Sequence, residues 1–191
     1  IARYALDKWQ NLKQYSLMDE LRNQLKTMNR QFGFYMKHKT AMKNNLIGIL
    51  DQTYPGVNTY FDSPARSDGS QKWVDFASTY WHVDCVRKMS LNAFTDHYQK
   101  WCKRKKYNFS QSKAEEIYGK AKELVPVLPK DEITKRIIKQ AVDQLNSASS
   151  TVEELRTLMN DSASKLPEYP IVMAMNGVGP SLGPQLMAEI G

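Results

Sequence analysis

Apolar side chains recur along the first quarter of the chain at intervals of three and four. Met18, Leu21, Leu25, Met28, Phe32, Tyr35, Lys39, Met42, Leu46 and Ile49 mark the series, with Lys39 its one polar member. This is the a/d repeat of a helix that lays a single stripe against another helix. At 1.5 Å per residue such a helix runs about 48 Å from Met18 to Ile49. Ser16 suits its N-cap, and Asp19 and Glu20 sit in the first turn at the positive end of the helix dipole. Tyr54-Pro55-Gly56 closes it. Gly33 weakens the helix by about 1 kcal/mol relative to alanine, which a seam of this length absorbs. A second series, Ile138, Ala141, Leu145, Ala148, Val152, Leu155 and Met159, follows the same rhythm from an acidic start at Asp131-Glu132 to a stop near Pro167. Inside it, Ser147-Ala-Ser-Ser-Thr151 is poor helix material and predicts a kink or break.

Between the two series the pattern shortens and turns aromatic. Residues 60–70 have loop chemistry throughout. Trp73, Phe76, Ala77, Tyr80 and Val83 then trace one helical face, and Ser90 caps a further helix carrying Leu91, Phe94, Tyr98 and Trp101. Ser112-Lys-Ala-Glu115 is a capping box opening a third helix through Ile117, Ala121 and Leu124. Large rings on short helices are core residues first, because short helices need big side chains to bury enough area. Base stacking by Tyr107 or Trp81 is the alternative.

The resulting expectation is an all-α protein. Long antiparallel coiled-coil helices (1–55 and 129–167) flank a small aromatic-rich helical unit (56–128), and a helix-hairpin-helix (168–191) ends the chain. The two arms can pair within one chain or across two, since methionine and aromatic seams fix oligomeric state poorly. The cross-chain version places Leu21, Leu25, Met28, Phe32, Met42, Leu46 and Ile49 at a homo-oligomer interface.

Charge adds a partner to this picture. The net charge is +7. Residues 1–50 hold nine Lys/Arg against three Asp/Glu, whereas residues 112–166 balance nine against nine. A solvated helix mixes signs; a one-sided excess suits a polyanion, because each neutralised phosphate releases counterions. Arg22, Lys26 and Arg30 are spaced i to i+4 along one face of the first arm. The densest run is Lys100, Lys103, Arg104, Lys105 and Lys106, flanked by Trp101, Tyr107 and Phe109. A solvated helix end also accounts for such a run, since cations suit a helix C-terminus. With the basic first arm beside it, the run points to a nucleic-acid backbone. No pattern here reads bases.

Several classes are set aside. There is no apolar run of about 20 residues to span a membrane and no signal-peptide core. Two cysteines, Cys85 and Cys102, fit a reducing cytoplasm better than a disulfide scaffold. His82, Cys85, His97 and Cys102 lack the spacing of a usual zinc quartet and read as buried thiols and ordinary helix-surface histidines.

The last fifteen residues carry the most specific pattern. The apolar segment Ile171-Val-Met-Ala-Met175 runs through Asn176 into Gly177-Val-Gly179, and Pro180, Leu182, Leu186, Met187 and Ala188-Glu-Ile190 follow in helical rhythm. In a helix-hairpin-helix such glycines let the backbone bend so that amides and a helix N-terminus face a phosphate. A plain tight turn between packed helices has the same outline. Pro180 suits position N1 of the second helix, which places Ser181 in its first turn as a capping residue.

Gly177-Val-Gly-Pro180 with Leu182, Leu186, Met187 and Ala188-Glu-Ile-Gly191 resembles the "PGIGP…LLAEIGD" signature of the DEDD-plus-serine family of bacterial insertion-sequence transposases, also called bridge-RNA-guided recombinases. Asn176 stands where that signature usually has proline. Ile1-Ala-Arg-Tyr-Ala-Leu6 is similar to the segment after the last acidic residues of that family's RuvC-like domain. Asn44-Asn-Leu-Ile-Gly-Ile-Leu50 with Tyr54-Pro55 is similar to its "N-R-L-x-x-L-L…YP" arm. The resemblance implies a piece of a larger enzyme whose Mg²⁺-binding acidic cluster lies before Ile1 and whose serine nucleophile lies after Gly191. It implies DNA and a guide RNA as partners, with no catalytic residue, metal or cofactor in this stretch. A free-standing helical adaptor for nucleic acid or protein is the alternative, and a purely structural coiled-coil dimeriser is a third.

Overall fold

The computed structural model describes residues 17–190, with side chains from residue 20 onward. Among them all regular structure is helical. In chain order the helices are α1 (Leu17–Leu50), a 3-10 turn (Val57–Thr59), α2 (Lys72–Thr79), α3 (Asp84–Arg87), α4 (Leu91–Lys105), α5 (Gln111–Glu123), α6 (Glu132–Ala163), α7 (Tyr169–Met173) and α8 (Gly183–Ile190). The all-α expectation holds. Ser16, residues 1–6 and Gly191 lie outside the described residues, and the side chains of Met18 and Asp19 lie outside the described side chains.

The chain divides into two compact units that cut across the four-part expectation. Residues 35–153 form one, and residues 17–34 with 154–190 form the other. Each long helix therefore contributes one stretch to each unit, because its seam packs against different neighbours along its length.

In the 35–153 unit, Leu46 and Leu50 of α1 and Ile138, Ala141, Val142 and Leu145 of α6 join the aromatic segment in a single core. Leu46, Ile138, Ala141 and Leu145 belong to the expected seams, whereas Leu50 and Val142 lie one position off them. Their polarity within this unit is antiparallel: Lys39 pairs with Glu153 at 3.9 Å, while farther along the Gln52 carbonyl accepts from the amides of Val127 and Leu128. Lys39, the polar seam member, is only 17% exposed, and Glu153 is 16% exposed. A half-buried pair of this kind fixes register more than it adds stability.

The rest of the core is rings. Phe76 of α2 is fully buried. Its ring meets those of Tyr54, Tyr60, Phe61, Tyr80, Tyr98 and Trp101, at centroid distances from 4.5 Å to 6.3 Å. The core reading of these aromatics is correct. Ser90 caps α4 as expected, its Oγ accepting from the Ala93 amide at 3.2 Å. The Asp131 carboxylate does the same for α6 through the Thr134 amide at 2.8 Å. The capping box at residues 112–115 does not form. Ser110 is the N-cap of α5, accepting from the Lys113 amide, and Ser112 lies inside the helix. Two serines two residues apart offer the same local chemistry, and the one at the end of the extended segment takes the cap.

The expected break at residues 147–151 is also absent; α6 continues through it. Thr151 Oγ1 donates to the Ser147 carbonyl, the intrahelical bond that hydroxyl residues use when they stay helical. Small residues serve packing here. Gly69 is buried with φ +81°, and a Cβ on it would lie 2.8 Å from the Ser149 carbonyl oxygen. The 66–70 turn, closed by the Gly69 amide on the Arg66 carbonyl and the Arg66 amide on the Ser70 carbonyl, rests directly on the serine run.

The second unit is smaller. Leu25 and Phe32 of α1 are buried with Met159, Ala163, Leu166, Val172, Met187 and Ala188. Within this unit, too, α1 runs opposite to the returning chain: Arg22 pairs with Glu168, and the Arg156 guanidinium lies 5.7 Å from the Phe32 ring centroid. Asn29 donates to Glu189 of α8 at 2.8 Å, tying the last helix to the first.

Two glycines separate packing from propensity. Gly69→Ala should lower the melting temperature by several degrees, because both its φ and its contact with Ser149 resist a methyl group. Gly33→Ala, mid-helix with nothing within 4 Å of a new Cβ, should raise stability by about 1 kcal/mol. Thermal and urea denaturation followed by circular dichroism reads both; equal and small effects would remove the close approach at Ser149.

Candidate nucleic-acid interface

Helix α4 carries the basic run, and its C-terminus decides which members of that run face outward. The helix stops at Lys106, whose φ of 56° makes it the one non-glycine in the left-handed region among the described residues. The Tyr107 amide then donates to the Cys102 carbonyl at 2.8 Å, closing the turn. Arg66 reaches across from the preceding loop and donates to the Lys105 carbonyl at 2.5 Å, with a longer bond to Lys106. That guanidinium meets the exposed carbonyls, the negative end of the helix dipole.

The five cations therefore do different things. Lys105 Nζ lies 2.8 Å from Asp75 Oδ1, and the other Asp75 oxygen accepts from the Tyr107 hydroxyl at 2.7 Å. Burial, followed by the Asp75 carboxylate, pushes the Tyr107 phenol upward, so it remains a proton donor. Lys106 is the helix cap. Lys100, Lys103 and Arg104 are exposed. Lys105 is thus engaged by the fold, while Lys106 caps the helix through its backbone and leaves its side chain exposed like those of the other three. Arg66 and Asp75, which organise this end, were invisible to sequence reasoning: one is a single arginine in a loop, the other a single aspartate on an aromatic helix.

The two candidate stacking rings are not available. Trp81 is only 9% exposed. Tyr107 is stacked on Trp101 at 5.3 Å, and the Arg66 guanidinium lies 4.0 Å from its centroid. The Lys72 ammonium lies 5.2 Å from the same centroid, so this half-buried ring is already engaged by an indole and two cations.

The first arm is less uniform than its spacing suggested. Arg22 is in an ion pair with Glu168, whose carboxyl is held below the usual range by its own backbone amide and by Arg22. Lys26 is half-buried and Arg30 is exposed. Only the last of the three presents its charge fully to solvent. The seam residues proposed for oligomerisation are covered within the single chain. Leu25, Phe32 and Leu46 are buried, and Leu21, Met28, Met42 and Ile49 are half-buried. The stripe thus packs largely within the single chain, with four of its seven members half-buried.

At the C-terminal hairpin the glycines divide their roles. Gly177 has φ +82°, is exposed, and would carry a Cβ with nothing within 4 Å of it. Gly179 is likewise open but does not need a positive φ. Helix α8 begins at Gly183, so Pro180 is not at N1 and Ser181 is not in its first turn. Residues 179–182 instead form a turn in which the Gly179 carbonyl accepts from the amides of Leu182 and Gly183. The glycine that permits close packing is Gly183: a Cβ there would lie 2.5 Å from Met173 Sδ on α7. Helix α7 has five residues and ends at Met173, two residues before the apolar segment does.

His82, Cys85, His97 and Cys102 have no shared ligand geometry. His82 Nε2 lies 3.1 Å from the Leu128 carbonyl, and its Nδ1 accepts from the Asp84 amide at 3.0 Å. His97 Nδ1 bonds the Tyr80 hydroxyl at 2.7 Å. Cys102 sits in the aromatic core, and burial pushes its thiol up. Among the described residues no cluster of His, Cys, Asp and Glu could hold a metal ion. No helix among them is long and apolar enough to cross a membrane.

Comparison with protein-family models, with curated proteins and with solved structures gives no match for this chain.

The split of the basic run is testable without any ligand. Lys105→Glu should set two carboxylates against each other beside Asp75 and lower stability by about 1–2 kcal/mol. Lys103→Glu, on the exposed side, should stay within about 0.5 kcal/mol of the parent. Urea midpoints at constant ionic strength measure both, and equal losses would contradict the assigned roles.

Proposed function

We propose that this chain is a nucleic-acid-binding part of an insertion-sequence transposase of the DEDD-plus-serine type, with DNA and a guide RNA as its polyanionic partners. The observation that carries the reading is the solvent-facing set Lys100, Lys103 and Arg104 at the end of α4, held beside an ion-paired Lys105. Three cations within five positions act as phosphate contacts without reading sequence. The resemblance of the Gly177–Gly191 segment supports the family, and the exposed Gly177-Val-Gly179 turn supplies a second backbone-only contact. In such a parent, strand cleavage and its Mg²⁺ belong to residues outside this stretch, so the chain contributes binding and not chemistry. Any self-association through the α1 seam proceeds by arm exchange, with α1 of one copy replacing α1 of another.

A second reading, an adaptor for proteins, is favoured by one patch. Val125, Val127, Ile133 and Ile137 are exposed within thirteen residues around the start of α6. Isolated apolar residues on a surface are ordinary, but four branched ones in sequence are more often a contact.

Salt separates the readings. Single-stranded and duplex oligonucleotides should bind with log K falling steeply against log salt. Reversing Lys100, Lys103 and Arg104 to Glu should flatten that slope by about two to three charges' worth. A slope unchanged by the reversal would reduce the run to a solvated helix end. Gly177→Val with Gly179→Val tests the hairpin. Duplex affinity should fall several-fold while the helical signal stays intact, since Gly179 is open and only Gly177 incurs backbone strain. Full affinity in that double variant would leave the turn a structural corner.

A further inference from the structure

Beside the outward cations of α4 lies a cleft of about 490 Å³, lined by Gln99, Lys100, Lys103, Tyr107 and Phe109. Its volume falls in the range of small-ligand sites, about 300–1,000 Å³. Its chemistry is unusual for an exposed helix face. Two ammonium groups three residues apart, an amide side chain and an aromatic wall converge on one hollow. The wall is held on one side: Tyr107 is stacked with Trp101, contacted by the Arg66 guanidinium and pinned through its hydroxyl to Asp75. Phe109 is different. It is half-buried, tilted against Tyr98 at 6.0 Å, and lines the cleft.

We infer that this cleft holds one unpaired nucleotide of a single-stranded nucleic acid, its base against Phe109 and its phosphate on Lys100 and Lys103. The inference rests on the nucleic-acid reading above and narrows it from backbone contact to a strand form. A duplex presents its phosphates but keeps its base faces stacked, so it can use the lysines and not the ring. A single strand can use both, and the π-face of any base satisfies Phe109, so the site selects strand form without selecting sequence. Gln99 adds a donor and an acceptor at the rim, suited to a base edge or a ribose hydroxyl. RNA and DNA single strands share the required chemistry.

Fluorescence anisotropy with a labelled twelve-nucleotide pyrimidine strand, as RNA and as DNA, and with a duplex of equal length provides the test on the intact chain. The parent should prefer the single strands over the duplex at equal salt. Phe109→Leu keeps an apolar packing group and should weaken single-strand binding by about tenfold, within the range for one stacked base, while leaving duplex binding unchanged. Phe109→Tyr should retain the preference. Lys100→Gln with Lys103→Gln should weaken both strand forms and lower the salt slope. Ultraviolet crosslinking of a 4-thiouridine strand, mapped by mass spectrometry, should place adducts on the peptide containing Tyr107 and Phe109. Equal losses for single strand and duplex in Phe109→Leu, or no loss in either, overturns the cleft while leaving backbone binding in place. Absence of any nucleic-acid affinity in the parent overturns both. A crosslink confined to other peptides also overturns the cleft, and a retained circular dichroism spectrum excludes misfolding as the cause in any variant.

Discussion

The fold of the 35–153 unit depends on one ring. Phe76 is fully buried and stands in ring contact with six other aromatics drawn from the α1–α2 connection, α2 and α4. Helices of eight and fifteen residues bury too little aliphatic area to hold each other. Rings bury more area per residue, and their edge-to-face contacts add about 0.5–1.5 kcal/mol per pair beyond area alone. From this cluster the stack continues outward through Trp101 to Tyr107, and there it meets Asp75, Arg66 and Lys105. The basic helix end is therefore built on the core and not appended to it. Outward cations on a rigid helix terminus lose less freedom on binding a phosphate than cations on a loop would.

Much of this architecture was legible from spacing. Three-four periodicity marked the buried stripe of α6 almost residue by residue, whereas on α1 it marked Leu25, Phe32 and Leu46, left its other described members half-buried and missed Leu50. The single-residue caps were legible where one candidate stood alone, as at Ser90 and Asp131, and ambiguous where two stood close, as at Ser110 and Ser112. Propensity failed at residues 147–151. Intrinsic cost across the four hydroxyl residues of this run is at most a few kcal/mol, and the neighbouring seam together with the Gly69 turn outweighs it. That turn lies about eighty residues away in sequence, so nothing local to α6 announced it.

Legibility of the candidate site was poorer, for a reason that generalises. Charge runs report composition, whereas interfaces depend on which charges are already paired. Sequence grouped Lys105 with its four neighbours; only the fold brings Asp75 to it. Likewise, Arg22, Lys26 and Arg30 share a helix face, yet Glu168 at the far end of the chain neutralises the first. The glycine pair was read as the turn, and Gly177 indeed takes a positive φ, while a third glycine, Gly183, meets Met173 across α7 and α8.

Lys39 bears on how the arms choose their partner. An a/d seam of methionine, leucine and aromatics is permissive, since any apolar stripe satisfies it at nearly any register. A lone lysine in that stripe is not permissive. Shifted by one heptad, its ammonium would enter an apolar seam without a counter-charge, at a cost of several kcal/mol. Glu153, itself mostly covered, supplies the counter-charge at one register only. The same geometry is available within one chain and in an arm-exchanged pair, because both juxtapose residue 39 with residue 153. Within the chain the ion pair thus favours antiparallel pairing of α1 with α6 at this register.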